Sequence, residues 1–588
     1  MSPIRVAGIA AIMLSVAAAS FLLQAQAAPP APPANLAPVP VTITVDASKP
    51  VGDLNPIWRW CGYDEPNYTY AANGKKLIGQ FVGDKGSAFG AASFRAHSLL
   101  VTGDGVGRLK WGSTNAYTED ATGGGAGKPV YDWTIIDKIF DTYNEAGAKP
   151  YAQIGFMPKA LSLKPEPYEH NWTPGGNASI FTGWTTPPKD YDKWRELCYQ
   201  WAKHCVERYG MEKVKTWNWE VWNEPNIGYF VASAAGVNKV VDYEKVWDYA
   251  ADGIRKAIPD AIIGGPETAG EGGVFTRHFI EHCINGTNYA TGQKGSPLGL
   301  ISFHAKGSPA RNLGHVQMGI SNQLNAINTG FRTATARPET AKLPVVIGES
   351  DPDGCAACQS YKGLYPEYNY RNGSIFAAYT IEQLARTMDM AKAGNVNLLG
   401  SVTWAFEFED QPIFGGFRAL ATDGVALPVL NTFRMLNKMG TKRLAVVSTG
   451  DLGVEAIRTR GVRGAASDVY ALAARDERRV TIISWNYHDD DLPGAAADIT
   501  MNVSGLPADL SKVTMTEWRC DETHSNAYTV WKGMGSPEKP TVAQHQQLEA
   551  ASELAIAQPA ADHAIKGGVA AIRLNVPRQG VSLVELAW

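Results

Sequence analysis

The 588-residue sequence predicts a (β/α)8 barrel of parallel strands followed by an all-β sandwich. Three observations carry that expectation. From about residue 55 to 440, short apolar runs alternate with long amphipathic stretches, as parallel strands joined by helical crossovers require. The runs number eight, the count at which such units close into a barrel. Beyond about residue 440 the runs stay strand-like but the helical patterns between them thin out.

The N-terminal stretch carries one basic residue, Arg5, then an apolar run and a small-residue site at Ala25-Gln26-Ala27. That is the pattern of a secretory signal over residues 1–27, and the run is short for a membrane anchor. Residues 28–40 read as an extended Pro/Ala linker. The chain is therefore expected to be exported, to the periplasm or the cell exterior. The barrel is expected over 41–440 and the sandwich over 441–588, with the early run "VTITVDA" (41–47) placed to pair with the latter.

The eight runs are "NPIWRWCGY" (55–63), "AASFRAHSLL" (91–100), "KPYAQIGFMP" (149–158), "KTWNWEVWNEP" (215–225), "AIIGGPE" (261–267), "LGLISFHAKG" (298–307), "LPVVIGES" (343–350) and "NLLGSVTWAFEFED" (397–410). The clearest helix between them is 191–210, where Trp194, Cys198, Trp201, Cys205 and Tyr209 recur every three or four residues and Gly210 stands at the C-cap. A doubly wound sheet is the competing architecture, but no G-x-G-x-x-G follows an early strand. In the C-terminal part, "RVTIISWNYH", "VTMTEWRC", "AAIRLNV" and "GVSLVELAW" supply the strands.

Hydrophobic residues make up 45% and charged residues 19%, a globular balance, and the net charge of −4 gives no footing for nucleic acid or an anionic membrane. No later segment has 18 uninterrupted apolar residues. The 17 Trp and 23 Tyr supply a large core or stacking platforms for a ligand with apolar faces, such as a sugar ring. Of the seven cysteines, Cys198 and Cys205 lie about 10 Å apart along one helix, too far to bridge. Cys355 and Cys358 are the plausible disulfide, and a lone CxxC offers too few ligands for zinc.

A barrel places its active site at the strand C-termini. Those ends carry Arg95, His97, Phe156, Asn223, Glu224, Glu267, His304, Lys306, Glu349, Trp404, Glu407 and Glu409. Glu224 ends the aromatic run "WNWEVWN", which Pro225 forbids from continuing, and Glu349 ends "LPVVIG". The spacing puts them three units apart, facing each other across the barrel mouth. Paired carboxylates across a pocket are what glycoside hydrolysis requires, one donating a proton and the other attacking the anomeric carbon. No cofactor motif and no His/Asp ligand cluster for a metal is present.

"WNWEVWNEPN" and "PVVIGESD" resemble the acid/base and nucleophile strands of the clan A glycoside hydrolases. With "IGFMP", "GGPETAG", "SFHAKG", "THSNAYTVWKGMGSP" and the trailing β domain, the chain resembles glycoside hydrolase family 39, the β-xylosidase family, over about residues 42 to 588. The resemblance implies Glu224 as general acid/base, Glu349 as nucleophile and Asn223 as partner of the sugar 2-hydroxyl. It implies that His304 orients substrate or nucleophile and that Trp404 floors the ring. His97 joins the substrate-binding set. Lys306 departs from the Tyr often found there, and its ammonium would either hold Glu349 ionised or point to solvent. Glu407 and Glu409 alternate with Phe406 and Phe408, so they face the pocket or make loop salt bridges. "CGYDEPNYTY" and the CxxC loop also depart from the family and bear on sugar choice.

The implied activity is retaining, exo-acting release of xylose from xylo-oligosaccharides. An α-L-arabinofuranosidase or other pentosidase is the neighbouring reading, and a non-catalytic carbohydrate-binding protein is the distant one. The expected partner is an oligosaccharide, without cofactor, metal, nucleic acid or membrane. The oligomeric state has no signature in the sequence.

Overall fold

Eight strands lie side by side in chain order: Trp60–Tyr63, Ser93–Ala96, Lys149–Ile154, Asn218–Val221, Ile262–Thr268, Leu300–Lys306, Val345–Asp351 and Leu398–Ser401. A ninth, Thr403–Trp404, follows after Val402 and pairs back onto Trp60–Tyr63. Every neighbouring pair is parallel. The result is a nearly closed, barrel-like sheet of nine segments, where eight strands were expected. The extra segment arises because the last stretch serves two partners, one before and one after Val402.

The computed structural model describes residues 36–106, 112–121, 127–164, 168–173, 176–183, 185–310, 314–363, 365–408 and 410–588. The expected signal 1–27, residues 28–35 of the expected linker and Glu409 lie outside these. No helix among the described residues is long and apolar enough to cross a membrane.

The helix Tyr191–Tyr209 shows why the crossovers form. Asp190 caps its start by accepting from the Lys193 N–H at 3.0 Å, and Gly210, at φ 85°, ends it. Its apolar stripe, Trp194, Cys198, Trp201 and Cys205, is fully buried against the sheet, with Trp201 edge-on to Trp219 at 5.3 Å. Cys198 and Cys205 are free thiols, whereas Cys355 and Cys358 are bridged with Cα atoms 5.4 Å apart.

The C-terminal strands depart from the expected sandwich. Val39–Asp53 pairs antiparallel with Lys442–Ser448 and parallel with Ala497–Ser504, which closes nine strands into one continuous sheet. Two separate sheets would have left those edges open. Alternation on the early strand buries Val41, Ile43, Val45 and Ala47 inside this second barrel, beside Ile499, Met501, Leu574 and Leu586. The strand begins at Val39, inside the stretch read as linker.

The helix Ser374–Ala393 lies between the two barrels and is buried almost throughout. Arg386 on it meets Glu382 at 2.8 Å, Asp468 at 2.6 Å and Asp451 at 2.8 Å, while the Trp485 indole donates to Glu382. A buried arginine with three carboxylates and an indole is a costly seam if one partner is lost.

Candidate active site

The run Asn218–Val221 explains how an acid comes to stand at a hydrophobic strand end. Trp219 packs outward against Trp201, and Tyr243 of an outer helix donates to the Val221 carbonyl at 2.9 Å. The alternate residue Glu220 points into the barrel, where Arg95 Nε and the Tyr151 hydroxyl donate to it. The chain then passes through left-handed backbone at Trp222 (φ 76°) and Glu224 (φ 44°). Such conformations cost about 1–3 kcal/mol each outside glycine and persist only when held from several sides. Here Trp222 N–H donates to Ile154 O at 3.0 Å, its indole to Tyr229 O at 2.7 Å, and Glu224 N–H to Glu267 O at 2.8 Å. Pro225 completes the break. Glu224 is thereby turned out of the strand into the mouth.

Glu349 comes from the strand Val345–Asp351 on the facing side. Its Oε2 accepts from Lys306 Nζ at 2.7 Å, and Lys306 also reaches Asp351 at 2.5 Å. Arg95 Nη1 lies 3.5 Å from its Oε1. Burial alone would push the Glu349 carboxyl up, but His304, Lys306 and Arg95 outweigh it and hold it well below the usual carboxylate range. Lys306 therefore points at Glu349 and not to solvent.

His304 bridges three acids. Nδ1 lies 2.8 Å from Glu224 Oε1 and 3.7 Å from Glu349 Oε2, and Nε2 lies 3.2 Å from Glu267 Oε1. Burial opposes charge on the ring, yet Glu349, Glu224 and Glu267 together push its pKa up to about 10. Expected to orient substrate or nucleophile, the ring makes its shortest contact to the partner acid, Glu224.

Arg95 is the fully buried hub. Besides Glu220 and Glu349 it reaches Glu267 at 3.3 Å, donates to Asn223 Oδ1 at 3.0 Å and lies 4.9 Å over the Trp404 ring. Burial and the Glu267 charge push Glu220 up, against Arg95, whereas Arg95 and His304 overcome burial at Glu267 and hold it near 2. His97 is held by Asp64 at 2.8 Å through Nδ1, and its Nε2 faces Arg95 Nη1 at 3.2 Å. Burial lowers its pKa despite Asp64, which suits a neutral ring accepting from the guanidinium. Trp404 packs 4.3 Å from the His97 ring and rests on Gly62, where a Cβ would come within 2.3 Å of the indole. Asp351 fixes its main-chain N–H at 2.8 Å.

Among the described site residues Glu407 differs from the rest. Its Oε1 accepts from the Gly424 N–H at 2.6 Å, so the carboxylate supports the turn between Ala421–Thr422 and Val425–Ala426. The bridged CxxC loop is tied down by Arg371, which meets Asp353 at 2.6 Å and the carbonyls of Cys355 at 2.7 Å and Cys358 at 2.5 Å. Asp64, from the divergent "CGYDEP" segment, reaches the site through His97.

Arg95, Glu220, Glu267 and Asp351 were not given roles by sequence reasoning. Parity offered one signal: Glu220 shares the inward face with Asn218 once Trp219 is placed outward. Arg95 and Glu267 stood at strand ends, but three strands must meet before their partnership exists.

One oxygen of Glu224, one nitrogen of His304 and one oxygen of Glu349 lie within 4.8 Å of one another. The same trio could hold a metal by residue type. However, both imidazole nitrogens already face carboxylates, and Lys306 and Arg95 flank Glu349, an arrangement that repels a dication. What the geometry suits is acid and nucleophile on opposite sides of one bond.

The family model described as "Glycosyl hydrolases family 39" matches residues 41–569. A β-xylosidase of Geobacillus stearothermophilus is 27% identical over 475 residues, covering 78% of this chain and 81% of that protein. An α-L-iduronidase of Homo sapiens is 23% identical over 563 residues, covering 92% and 77%. Among solved structures, a monomeric β-xylosidase from Caulobacter crescentus CB15 superposes with a TM-score of 0.70 at 22% identity, covering 93% of this chain and 99% of that one. At that identity the likeness carries the fold.

Proposed function

Because this chain belongs to glycosyl hydrolases family 39 and is a glycoside hydrolase, we propose that it is a retaining, exo-acting β-xylosidase acting on xylo-oligosaccharides. The observation that carries the proposal is the asymmetry of charge at two carboxylates within reach of one bond. Glu349 has two cations, Lys306 and Arg95, and is suited to attack; Glu224 has the His304 ring and is suited to exchange a proton.

In the first step a Glu349 oxygen bonds to the anomeric carbon as the glycosidic C–O bond breaks, and Glu224 delivers a proton to the departing oxygen. In the second, Glu224 takes a proton from water, whose oxygen bonds to the anomeric carbon as the Glu349 ester bond breaks. Arg95 fixes the Asn223 amide with its oxygen inward, leaving the NH2 edge to meet the sugar 2-hydroxyl. Trp404 and His97 form the floor and side of the sugar site. An exported, periplasmic or extracellular enzyme fits the N-terminal pattern.

A hexuronide is the second reading, favoured by Lys306, a cation at the pocket edge, and by the relatives named α-L-iduronidase. Glu349 and Asp351 already neutralise that ammonium, which is why the pentoside leads. An α-L-arabinofuranoside presents its hydroxyls differently, and a binding-only role would leave the paired acids idle. Xylobiose digestion followed by NMR decides: xylose appearing first as the β-anomer supports the proposal, and inversion or no turnover sinks it. Aryl β-xyloside, α-L-arabinofuranoside and α-L-iduronide run side by side identify the sugar.

A further inference from the structure

Glu267 has no part in the double displacement as written, yet it touches both halves of it. The residue is fully buried near the end of Ile262–Thr268, in left-handed backbone at φ 52°. Its carbonyl accepts the Glu224 N–H at 2.8 Å, and its Oε1 lies 3.2 Å from His304 Nε2 and 3.3 Å from Arg95 Nε. A Cβ on Gly348, the residue before the nucleophile, would stand 1.3 Å from that same Oε1. Glu267 thus rests its carboxylate on the strand of Glu349 and holds Glu224 by its main-chain carbonyl.

We propose that Glu267 is a positioning residue that holds the Nε2–H of His304, so that Nδ1 shares a mobile proton with Glu224 and His304 serves as the proton store of the acid. The proposal rests on Glu224 being the acid/base. A ring with an ionised carboxylate at each nitrogen satisfies both only by donating from both. The acids facing His304 are Glu224, Glu349 and Glu267. The cations are Lys306 on its own strand, drawn to Glu349 and Asp351, and Arg95, drawn to Glu220, Glu267 and Glu349. His97 lies beyond Arg95 and is held neutral. Acids outnumber cations around the ring, in keeping with its raised pKa.

During glycosylation the Nδ1–H bond breaks, the proton passes to Glu224 and on to the leaving oxygen, and the ring is left neutral with Nε2–H still on Glu267. Deglycosylation returns a proton from water by the same route. Protons balance over the cycle.

Glu267→Gln keeps the shape and removes the charge. The alkaline limb of kcat/KM, measured on the aryl glycoside turned over fastest, should move to lower pH by about one unit or more, because loss of a nearby anion lets the ring give up its proton sooner. KM should change little, and Glu267→Asp should restore part of the limb. In wild-type protein labelled with 15N-histidine, one imidazole, assigned by its loss in His304→Gln, should remain doubly protonated at pH 8, and in Glu267→Gln its titration midpoint should fall by about one unit or more. An unmoved limb, or a His304 ring neutral at pH 7 in the wild type, overturns the proposal. The NMR arm needs no substrate, so it still decides the role of Glu267 if no glycoside is turned over and the xylosidase reading fails.

Discussion

The main-chain N–H of Glu224 donates to the carbonyl oxygen of Glu267 at 2.8 Å, fastening the residue that leaves one strand to a residue on the next. Glu224 is therefore positioned by its backbone. Its side chain can be removed without releasing the loop, which makes substitutions there readable as chemistry.

Glu224→Ala should lower kcat/KM for xylobiose by about 10²-fold or more, the usual range for losing a general acid. On an aryl xyloside with a strongly acidic phenol, which departs without a proton, kcat/KM should fall less than about tenfold. Equal losses on both substrates would mean that another group is the acid.

Glu349→Gln should cut turnover by more than about 10³-fold on every substrate, since no attacking group remains. Circular dichroism and xylose binding should stay close to wild type. Hydrolysis within tenfold of wild type would remove Glu349 from the nucleophile role.

Lys306→Met tests the cation beside the nucleophile. Without the ammonium 2.7 Å away, the charged form of Glu349 is disfavoured and its pKa rises. The nucleophile is then protonated at higher pH, so the acid limb of kcat/KM should move upward by about one unit. A limb that stays in place would show that Arg95 and His304 suffice.

Gly348→Ala forces a methyl group into the Glu267 carboxylate, which Arg95 and His304 prevent from swinging away. Overpacking of this kind costs about 1–3 kcal/mol, so thermal unfolding should occur several degrees lower and kcat should fall with it. Adding Glu267→Ala should recover part of the lost stability, because the two changes share one volume. Strict additivity in the double variant would argue against the contact.

The parts that were legible in the sequence are those written locally. Each apolar run led to a barrel strand, although "NPIWRWCGY" is strand only over Trp60–Tyr63. The helix Tyr191–Tyr209 follows its stripe and its glycine. Glu224 and Glu349 stood out because a polar residue interrupts a hydrophobic run at a place where a barrel opens. Alternation with Phe406 and Phe408 left Glu407 either facing the pocket or making loop contacts, and one of its oxygens does hold the Gly424 N–H of a turn. The early run was expected to join the C-terminal strands and does, but that its two pairings would close them into one continuous sheet was not legible, because the partners lie at opposite ends of the chain. Likewise Arg95 has no meaning as a hub until Glu220, Glu267 and Glu349 converge on it from three other strands.

That early strand also sets an order of events. Thr42 is hydrogen-bonded to Thr449, 407 residues downstream, and its neighbours pair with Ala497–Ser504 further on. A ribosome adding roughly 5–20 residues per second leaves this alternating, aggregation-prone ribbon without a partner for tens of seconds while the whole first barrel emerges. The second barrel can close only after synthesis has nearly finished. Its assembly is thus a late, long-range step that a chaperone able to shield one exposed β-edge would speed.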